Sequence, residues 1–130
     1  MVQSKRFRAS ALIVEDDAFQ RELISMLLEE SDYDVFQCES GEDAELVLAK
    51  DGGALSLMMT DVNLAGPMDG VELAFIAKQR FPKLDVVVTS GRPLVQSLPD
   101  GTKFWSKPCA PLDILREAEL AQEVARAASR

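Results

Sequence analysis

The sequence predicts an α/β fold with a parallel sheet. Short apolar runs alternate with segments of helical periodicity, the pattern of parallel strands joined by crossover helices. The run from Leu55 to Thr60 is apolar on both faces, as a central parallel strand should be. No internal repeat or low-complexity stretch interrupts the alternation. At 130 residues the chain is expected to form one domain, residues 1–130, with an ordered core from about residue 9 to about residue 128.

The apolar runs and the capping residues give approximate bounds for each element. The strands are expected at Ser10 to Val14, Asp32 to Gln37, Leu55 to Thr60, Leu84 to Thr89 and Thr102 to Ser106. The first helix should follow Asp17, which has Gln20 at the capping-box position. The other three helices should begin after Ser40, after Asp69 and at Pro111, and end near Gly52, Phe81 and Ser129.

The connection before the last strand is too short for a full helix. Only residues 91–106 separate Ser90 from Lys107, and the strand takes about five of them. A typical helix of about 11 residues with its two loops does not fit in the remainder. We therefore expect a shortened or degenerate fourth helix, of one turn at most, between Pro93 and Pro99.

Composition excludes several classes of function. With 14 Lys+Arg against 22 Asp+Glu the formal charge is −8, which disfavours binding to nucleic acid or to an anionic membrane. No apolar run approaches the length of a signal peptide or a membrane span, so a cytoplasmic location is expected. The chain has no histidine, which removes His-based triads and, with Cys38 and Cys109 far apart, a structural zinc site. Both cysteines are expected to be reduced.

Chemically active side chains follow four of the predicted strands. Glu15 and Asp16 follow the first, Asp61 ends the third, Ser90 the fourth and Lys107 comes after the fifth. In open α/β sheets, ligands bind outside the carboxyl ends of the strands. The sequence therefore predicts that these carboxylates, a hydroxyl and an ammonium share one rim of the sheet.

Such a rim suits a divalent cation and a phosphoryl group. Mg²⁺ prefers oxygen ligands, so Asp16 and Asp61 could bind it directly, Glu15 could hold a metal-bound water, and the Asn63 carbonyl lies close beyond Asp61 in the sequence. Clustered carboxylates repel each other, which a cation would relieve. Asp17 is better explained as a helix cap.

Asp61 is the candidate nucleophile. A carboxylate can accept a phosphoryl group and form an aspartyl phosphate. Phosphoryl transfer depends chiefly on positioning and on charge neutralisation, which a metal and Lys107 would supply. The Ser90 hydroxyl could then bind a phosphoryl oxygen.

Five segments, in this order, resemble the receiver domain of two-component response regulators. They are Leu12-Ile13-Val14-Glu15-Asp16-Asp17, Thr60-Asp61-Val62-Asn63-Leu64, Met68-Asp69-Gly70-Val71-Glu72-Leu73, Val88-Thr89-Ser90-Gly91 and Ser106-Lys107-Pro108. The resemblance covers essentially the whole chain. It implies a flavodoxin-like (βα)₅ doubly wound sheet with strand order 2-1-3-4-5.

The resemblance also implies a function. Asp61 would take its phosphoryl group from a phosphohistidine on a sensor histidine kinase or a histidine phosphotransferase, with Mg²⁺ bound by the acidic pair Glu15 and Asp16. Ser90 matches the switch hydroxyl and Phe104 the aromatic switch, and the bond from Lys107 to the following proline is usually cis. The protein would be a signalling module rather than an enzyme, beyond self-catalysed phosphotransfer and autodephosphorylation. A homodimer, and a stand-alone receiver as opposed to a fragment, both stay open.

Three other functions compete with this one. A receiver-fold adaptor could bind partners without phosphorylation, although every phosphotransfer residue is present. A phosphatase of the haloacid dehalogenase type would need a second aspartate two residues after the nucleophile, where this chain has Asn63. A flavodoxin would need a Ser/Thr-rich phosphate loop after the first strand, where Glu15, Asp16 and Asp17 would repel a flavin phosphate.

Overall fold

The computed structural model describes residues 8–128 as a five-stranded parallel sheet flanked by helices. The strands are β1 (Ala9–Val14), β2 (Tyr33–Cys38), β3 (Leu55–Asp61), β4 (Asp85–Ser90) and β5 (Lys103–Ser106). The helices are α1 (Ala18–Glu30), α2 (Gly41–Asp51), α3 (Gly70–Arg80) and α4 (Pro111–Ala128), with a single 3₁₀ turn at Gly52–Ala54. Residues 1–7 of the predicted domain, and the predicted end of the last helix at Ser129, lie outside the described residues.

The sheet has the predicted order, β2-β1-β3-β4-β5, with every neighbouring pair parallel. Alternate residues of each strand point to opposite faces. One face packs against α1 and α4 through a cluster that includes Ala11, Ile13, Leu28, Leu57, Met59, Ile114, Ala118 and Ala121. The other packs against α2 and α3 through a cluster that includes Leu12, Val14, Leu48, Met58, Leu73, Ala77, Val86 and Val88. β3 is therefore buried on both faces, and its carboxyl end lies between those of β1 and β4.

The predicted strand bounds agree with the structure to within one residue. Asp32, however, is a turn residue and not the first residue of β2, because its φ of 66° lies in the left-handed region. The predicted caps of the first three helices are confirmed, since Asp17, Ser40 and Asp69 each accept a hydrogen bond from the backbone N–H three residues later. In the described part of the chain, no helix combines the length and apolar character that crossing a membrane requires.

No helical turn forms between β4 and β5. Residues 91–102 have no regular structure, and within the described residues the backbone–backbone hydrogen bonding of this connection is limited to Thr102 N–H donating to Pro99 O at 3.2 Å. Pro93 and Pro99 carry no N–H and disfavour the helical conformation of the residues before them. The prediction of one turn at most is thus confirmed, with no turn formed at all, and the last helix in the described residues is α4.

A charged cluster joins α4 to the end of the sheet opposite the carboxyl rim. The Lys103 ammonium donates to Glu117 of α4 and lies 3.7 Å from Asp85 Oδ1 at the start of β4. Burial, a hydrogen bond to Glu117 and the charge of that carboxylate raise the pKa of Asp85 to about 7. Hydrogen bonds with Asp85 and Lys103 lower the pKa of Glu117, although burial alone would raise it. Of the two carboxyl groups beside this ammonium, Asp85 therefore holds its proton to a higher pH than Glu117.

Asp85 should make the protein less stable as the pH rises. Its folded pKa of about 7 lies above its ordinary value of 3.8, so the folded state holds a proton that the unfolded chain releases between about pH 4 and pH 7. The free energy of unfolding falls across that window. Asp85→Asn, which mimics the protonated form, should gain on the wild type as the pH rises, with an advantage that is about 2 kcal/mol larger at pH 8 than at pH 5. Urea unfolding at both pH values measures this, and an equal difference at both would contradict the shift.

Candidate functional site

Asp61 lies at the carboxyl end of the central strand β3. Thr60 pairs with Val14 of β1, and Asp61 pairs with Thr89 of β4, so strands on both sides enclose the aspartate. Asp61 is 8% exposed, with its side chain directed at the rim where the neighbouring strands end. Its backbone oxygen accepts a hydrogen bond from the Thr60 hydroxyl at 3.0 Å. The end of β3 is therefore fixed on both sides, and the Asp61 carboxylate lies largely buried at the rim.

Glu15 and Asp16 follow β1 on the same rim. One carboxylate oxygen from each of Glu15, Asp16 and Asp61 lies within 4.8 Å of the other two. Glu15 is buried, and its backbone is fixed by the bond from its N–H to Cys38 O at 2.9 Å and by Arg21 Nη1 donating to its carbonyl at 2.7 Å. Asp16 is exposed. The cluster thus has one carboxylate open to solvent and two at its base.

Lys107 brings its ammonium into this cluster from the loop after β5. Its Nζ donates to Glu15 Oε1 at 2.5 Å, to Gln20 Oε1 at 2.8 Å and to Asp61 Oδ2 at 3.0 Å. Its backbone N–H donates to Ser90 O at 2.8 Å, which ties the loop to the end of β4. The peptide bond to Pro108 is cis, as the resemblance implies.

The electrostatics of the cluster leave a deficit of positive charge. Burial, with the charge of Asp61, raises the pKa of Glu15 although Lys107 opposes the shift. Burial lowers the pKa of Lys107, but its bonds to Glu15 and Asp61 outweigh that effect and raise it overall. Lys107 is thus an ammonium at neutral pH. The formal charge of three carboxylates and one ammonium is −3 + 1 = −2, the charge that one divalent cation would balance.

The other predicted site residues lie around this centre. Ser90 is buried at the end of β4, one residue beyond the partner of Asp61, and its Oγ accepts a hydrogen bond from Arg92 N at 3.1 Å. Asn63 is exposed in the loop after β3. Phe104 is half-buried in β5 and packs against the cluster on the α2–α3 face. The structure thus brings Glu15, Asp16, Asp61 and Lys107 into one group, with Ser90 on the adjoining strand.

Gly70 is a site residue that the sequence analysis missed. Its N–H donates to Val62 O at 2.8 Å, and a Cβ at this position would lie 1.9 Å from the backbone oxygen of Asp61. Only glycine allows α3 to begin so close to Asp61. A signal existed, since a glycine directly after the cap Asp69 has no role in capping and indicates close backbone approach.

Comparison with known proteins agrees with this geometry. The family model of the response regulator receiver domain matches residues 11–118. The response regulator receiver protein CpdR of Brucella abortus (strain 2308) is 32% identical over 113 residues, which cover 83% of this chain and 92% of CpdR. The response regulator protein FleR of Pseudomonas aeruginosa is 39% identical over 80 residues, which cover 62% of this chain and only 16% of FleR.

Solved structures show the same fold. A CheY-like receiver domain protein of Methanospirillum hungatei JF-1 superposes with a TM-score of 0.81 at 23% identity, covering 93% of this chain and 99% of that one. The receiver domain of the hybrid histidine kinase CckA gives 0.76 at 25% identity, covering 87% and 98%. With a family match over most of its length and the strand order of these structures, the chain belongs to the response regulator receiver domain family.

Proposed function

We propose that this chain is a phosphorylatable receiver of a two-component system or phosphorelay. It accepts a phosphoryl group on Asp61 from a phosphohistidine of a sensor histidine kinase or a histidine phosphotransferase, and thereby switches the binding of a partner. The observation that carries the proposal is the Lys107 ammonium, which bridges Glu15 and Asp61 on an acidic rim. We place this activity in the cytoplasm, where Cys38 and Cys109, both free, would stay reduced.

The transfer needs only a nucleophile and neutralised charge. Asp61 Oδ2 accepts from Lys107, whereas Oδ1 has no hydrogen-bond donor within residues 8–128. An oxygen of this carboxylate attacks phosphorus, the P–N bond breaks, and its electron pair stays on the imidazole nitrogen, which takes a proton from water. Lys107 keeps its protons and donates to a phosphoryl oxygen, offsetting the charge of about −1.5 to −2 that the group adds.

The acidic cluster also fits Mg²⁺, which would neutralise and orient the phosphoryl oxygens. The exposed Asp16, and Asp61 at the base of the cluster, would ligate it directly. Glu15 would act through a water, because its Oε1 accepts from Lys107 and its Oε2 from Asp17 N–H. The Asn63 carbonyl would supply a further oxygen. The net charge of −2 and the oxygen-only donor set support this assignment.

Mg²⁺ should stabilise the unphosphorylated protein, since it binds the folded cluster and not the unfolded chain. At ten times its dissociation constant the gain is about 1.4 kcal/mol, a shift of a few degrees in melting temperature. Asp16→Ala should abolish the shift. Glu30→Ala, which removes an exposed carboxylate at the far end of α1, should retain it. Thermal melts with and without millimolar MgCl₂ measure the effect, and a wild type indifferent to Mg²⁺ would count against the site.

The switch would act through Ser90. When a phosphoryl oxygen draws its hydroxyl toward Asp61, the bond that Ser90 Oγ accepts from Arg92 N–H is exchanged for a bond to phosphate. The connection that begins at Arg92 is anchored by little else, so it would move with the hydroxyl. Phe104, half-buried in β5 beside this connection, would repack in response, which is the role of aromatic switch that the resemblance gives it.

An apolar stripe on α1 supports a protein donor. Phe19, Leu23 and Met26 recur at helical spacing and are 77%, 48% and 50% exposed, on the helix that begins directly after the acidic cluster. A helical partner that presents a phosphohistidine to Asp61 would cover this stripe.

Phe19→Ala should slow transfer from a phosphohistidine protein but leave phosphorylation by acetyl phosphate unchanged, because only the protein donor contacts the stripe. The binding free energy of the donor should weaken by about 1–2 kcal/mol, which is roughly tenfold in its dissociation constant. The matched control is Leu46→Ala on α2, a side chain of similar exposure (71%) on the other face of the sheet. Rates of phosphoryl transfer from a purified phosphorylated donor measure the effect. An equal fall in the rate for both variants would contradict a specific contact with the stripe.

Incubation with acetyl phosphate and Mg²⁺, followed by intact mass measurement, tests the proposal. One phosphoryl group should be gained, and none when EDTA is present. A wild type that gains none from acetyl phosphate or from any phosphohistidine donor would favour the adaptor that works without phosphorylation.

A further inference from the structure

Two helices of this protein start with the same pattern of cap and third residue but use it differently. In α3, the Asp69 side chain accepts from Glu72 N–H, and the Glu72 side chain returns to Asp69 N–H, which completes a capping box. In α1, Asp17 accepts from Gln20 N–H at 2.9 Å, but the Gln20 side chain does not return to the cap. The sequence predicted a capping box at α1, where only its first half forms.

The second half is replaced by Glu15. Its Oε2 accepts from Asp17 N–H at 3.2 Å, so the cap is satisfied without the glutamine. Gln20 Oε1 instead accepts from Lys107 Nζ at 2.8 Å. The side chain of Gln20 is therefore released from helix capping and directed at the ammonium.

That contact uses the last donor of Lys107. An ammonium has three N–H donors, and Glu15, Gln20 and Asp61 accept one each. A phosphoryl oxygen at Asp61 can bond to Lys107 only if one of these acceptors gives way. Glu15 is a carboxylate, and so is Asp61 until the transfer, whereas the amide of Gln20 is neutral and exposed. Before transfer its bond is therefore the weakest of the three.

We infer that Gln20 is a positioning residue that holds Lys107 in the unphosphorylated state and competes with the phosphoryl group for its third donor. The inference rests on the proposed function, in which Lys107 binds the phosphoryl group. Gln20 would set how readily Asp61 is phosphorylated without contacting the reacting atoms.

Gln20→Met tests this directly, because methionine keeps the length and the helix propensity of glutamine but removes the strong acceptor. With Mg²⁺ at saturation, beryllofluoride should bind the variant about three- to tenfold more tightly than the wild type. Trp105, the single tryptophan of the chain and two residues before Lys107, reports binding by fluorescence. The melting temperature should stay close to that of the wild type, since the cap does not use this side chain.

Glu72→Met is the matched control at the same position of α3. It breaks a complete capping box, so it should lower the melting temperature and leave beryllofluoride affinity unchanged. Unchanged or weaker binding in Gln20→Met, or a loss of thermal stability like that of Glu72→Met, would overturn the inference and show that Gln20 is a capping residue. A wild type that fails to bind beryllofluoride with Mg²⁺ would overturn the proposed function and the inference with it.

Discussion

Asp61→Asn is expected to abolish phosphorylation while leaving the fold intact. An amide oxygen is a far weaker nucleophile than a carboxylate and cannot form an acyl phosphate, so the loss should be complete rather than partial. Glu15 and Asp16 cannot replace it. The oxygens of Glu15 accept from Lys107 and from Asp17 N–H, and Asp16 is exposed rather than enclosed between two strands.

The variant should also be at least as stable as the wild type. Its cluster would carry −1 in place of −2, so repulsion among the carboxylates falls, and the amide can still accept a hydrogen bond from Lys107. A loss of phosphorylation together with a retained melting temperature therefore identifies a chemical defect.

The measurement is intact mass after incubation with acetyl phosphate and Mg²⁺. Asp17→Asn serves as the control, because it removes an equal charge two residues from Glu15 and keeps a good helix cap. It should still gain one phosphoryl group. A phosphoryl group on Asp61→Asn would show that another carboxylate is the acceptor.

Gly70→Ala is expected to push Asp61 and the start of α3 apart. A Cβ there would lie 1.9 Å from the backbone oxygen of Asp61 and 3.0 Å from Thr60 Oγ1. Backbone atoms on both sides must move, because neither β3 nor the N-terminus of α3 can rotate away from the contact. Overpacking of this kind costs about 1–3 kcal/mol of stability. It should also disturb the position of Asp61, so phosphorylation should slow by more than the loss of folded protein explains.

Gly53→Ala is the matched control, since a Cβ at Gly53 meets nothing within 4 Å. Its stability and its phosphorylation should both stay near those of the wild type. Urea unfolding and the initial rate of phosphorylation by acetyl phosphate measure the two effects. Gly70→Ala with wild-type values for both would mean that β3 and α3 are less rigidly joined than their geometry indicates.

The rim of the sheet could be predicted because it follows from strand position alone. In a parallel sheet every strand delivers its last residues to the same edge, so Glu15, Asp61, Ser90 and Lys107 could be grouped from the ends of apolar runs. The contacts made by Gln20 could not be predicted, since its position after Asp17 is the same as that of Glu72 after Asp69. Which partner such a side chain chooses depends on residues distant in sequence.

The charged cluster at the starts of β4 and β5 could not be predicted from the sequence for the same reason. Asp85, Lys103 and Glu117 belong to three different elements, and none of them interrupts an apolar pattern in a way that marks it as buried.

Asp32 shows the limit of strand propensity. Asp32 precedes an apolar run and was therefore predicted to begin β2. The turn after α1, however, requires a residue in the left-handed conformation at this position.

The helix-free connection between β4 and β5 joins two parts of the protein, and each part holds only some of the residues of the proposed site. Cleavage within residues 91–101 would break no strand pairing and no helix. The larger piece would carry Asp61, the proposed acceptor, with Glu15 and Asp16, and the smaller one would carry β5, α4 and the ammonium of Lys107. Neither piece could perform the transfer alone, but β4–β5 pairing and the packing of α4 on the sheet provide the surfaces for reassembly. A nicked or split form of this protein would then have its activity restored by mixing, with the ammonium supplied in trans.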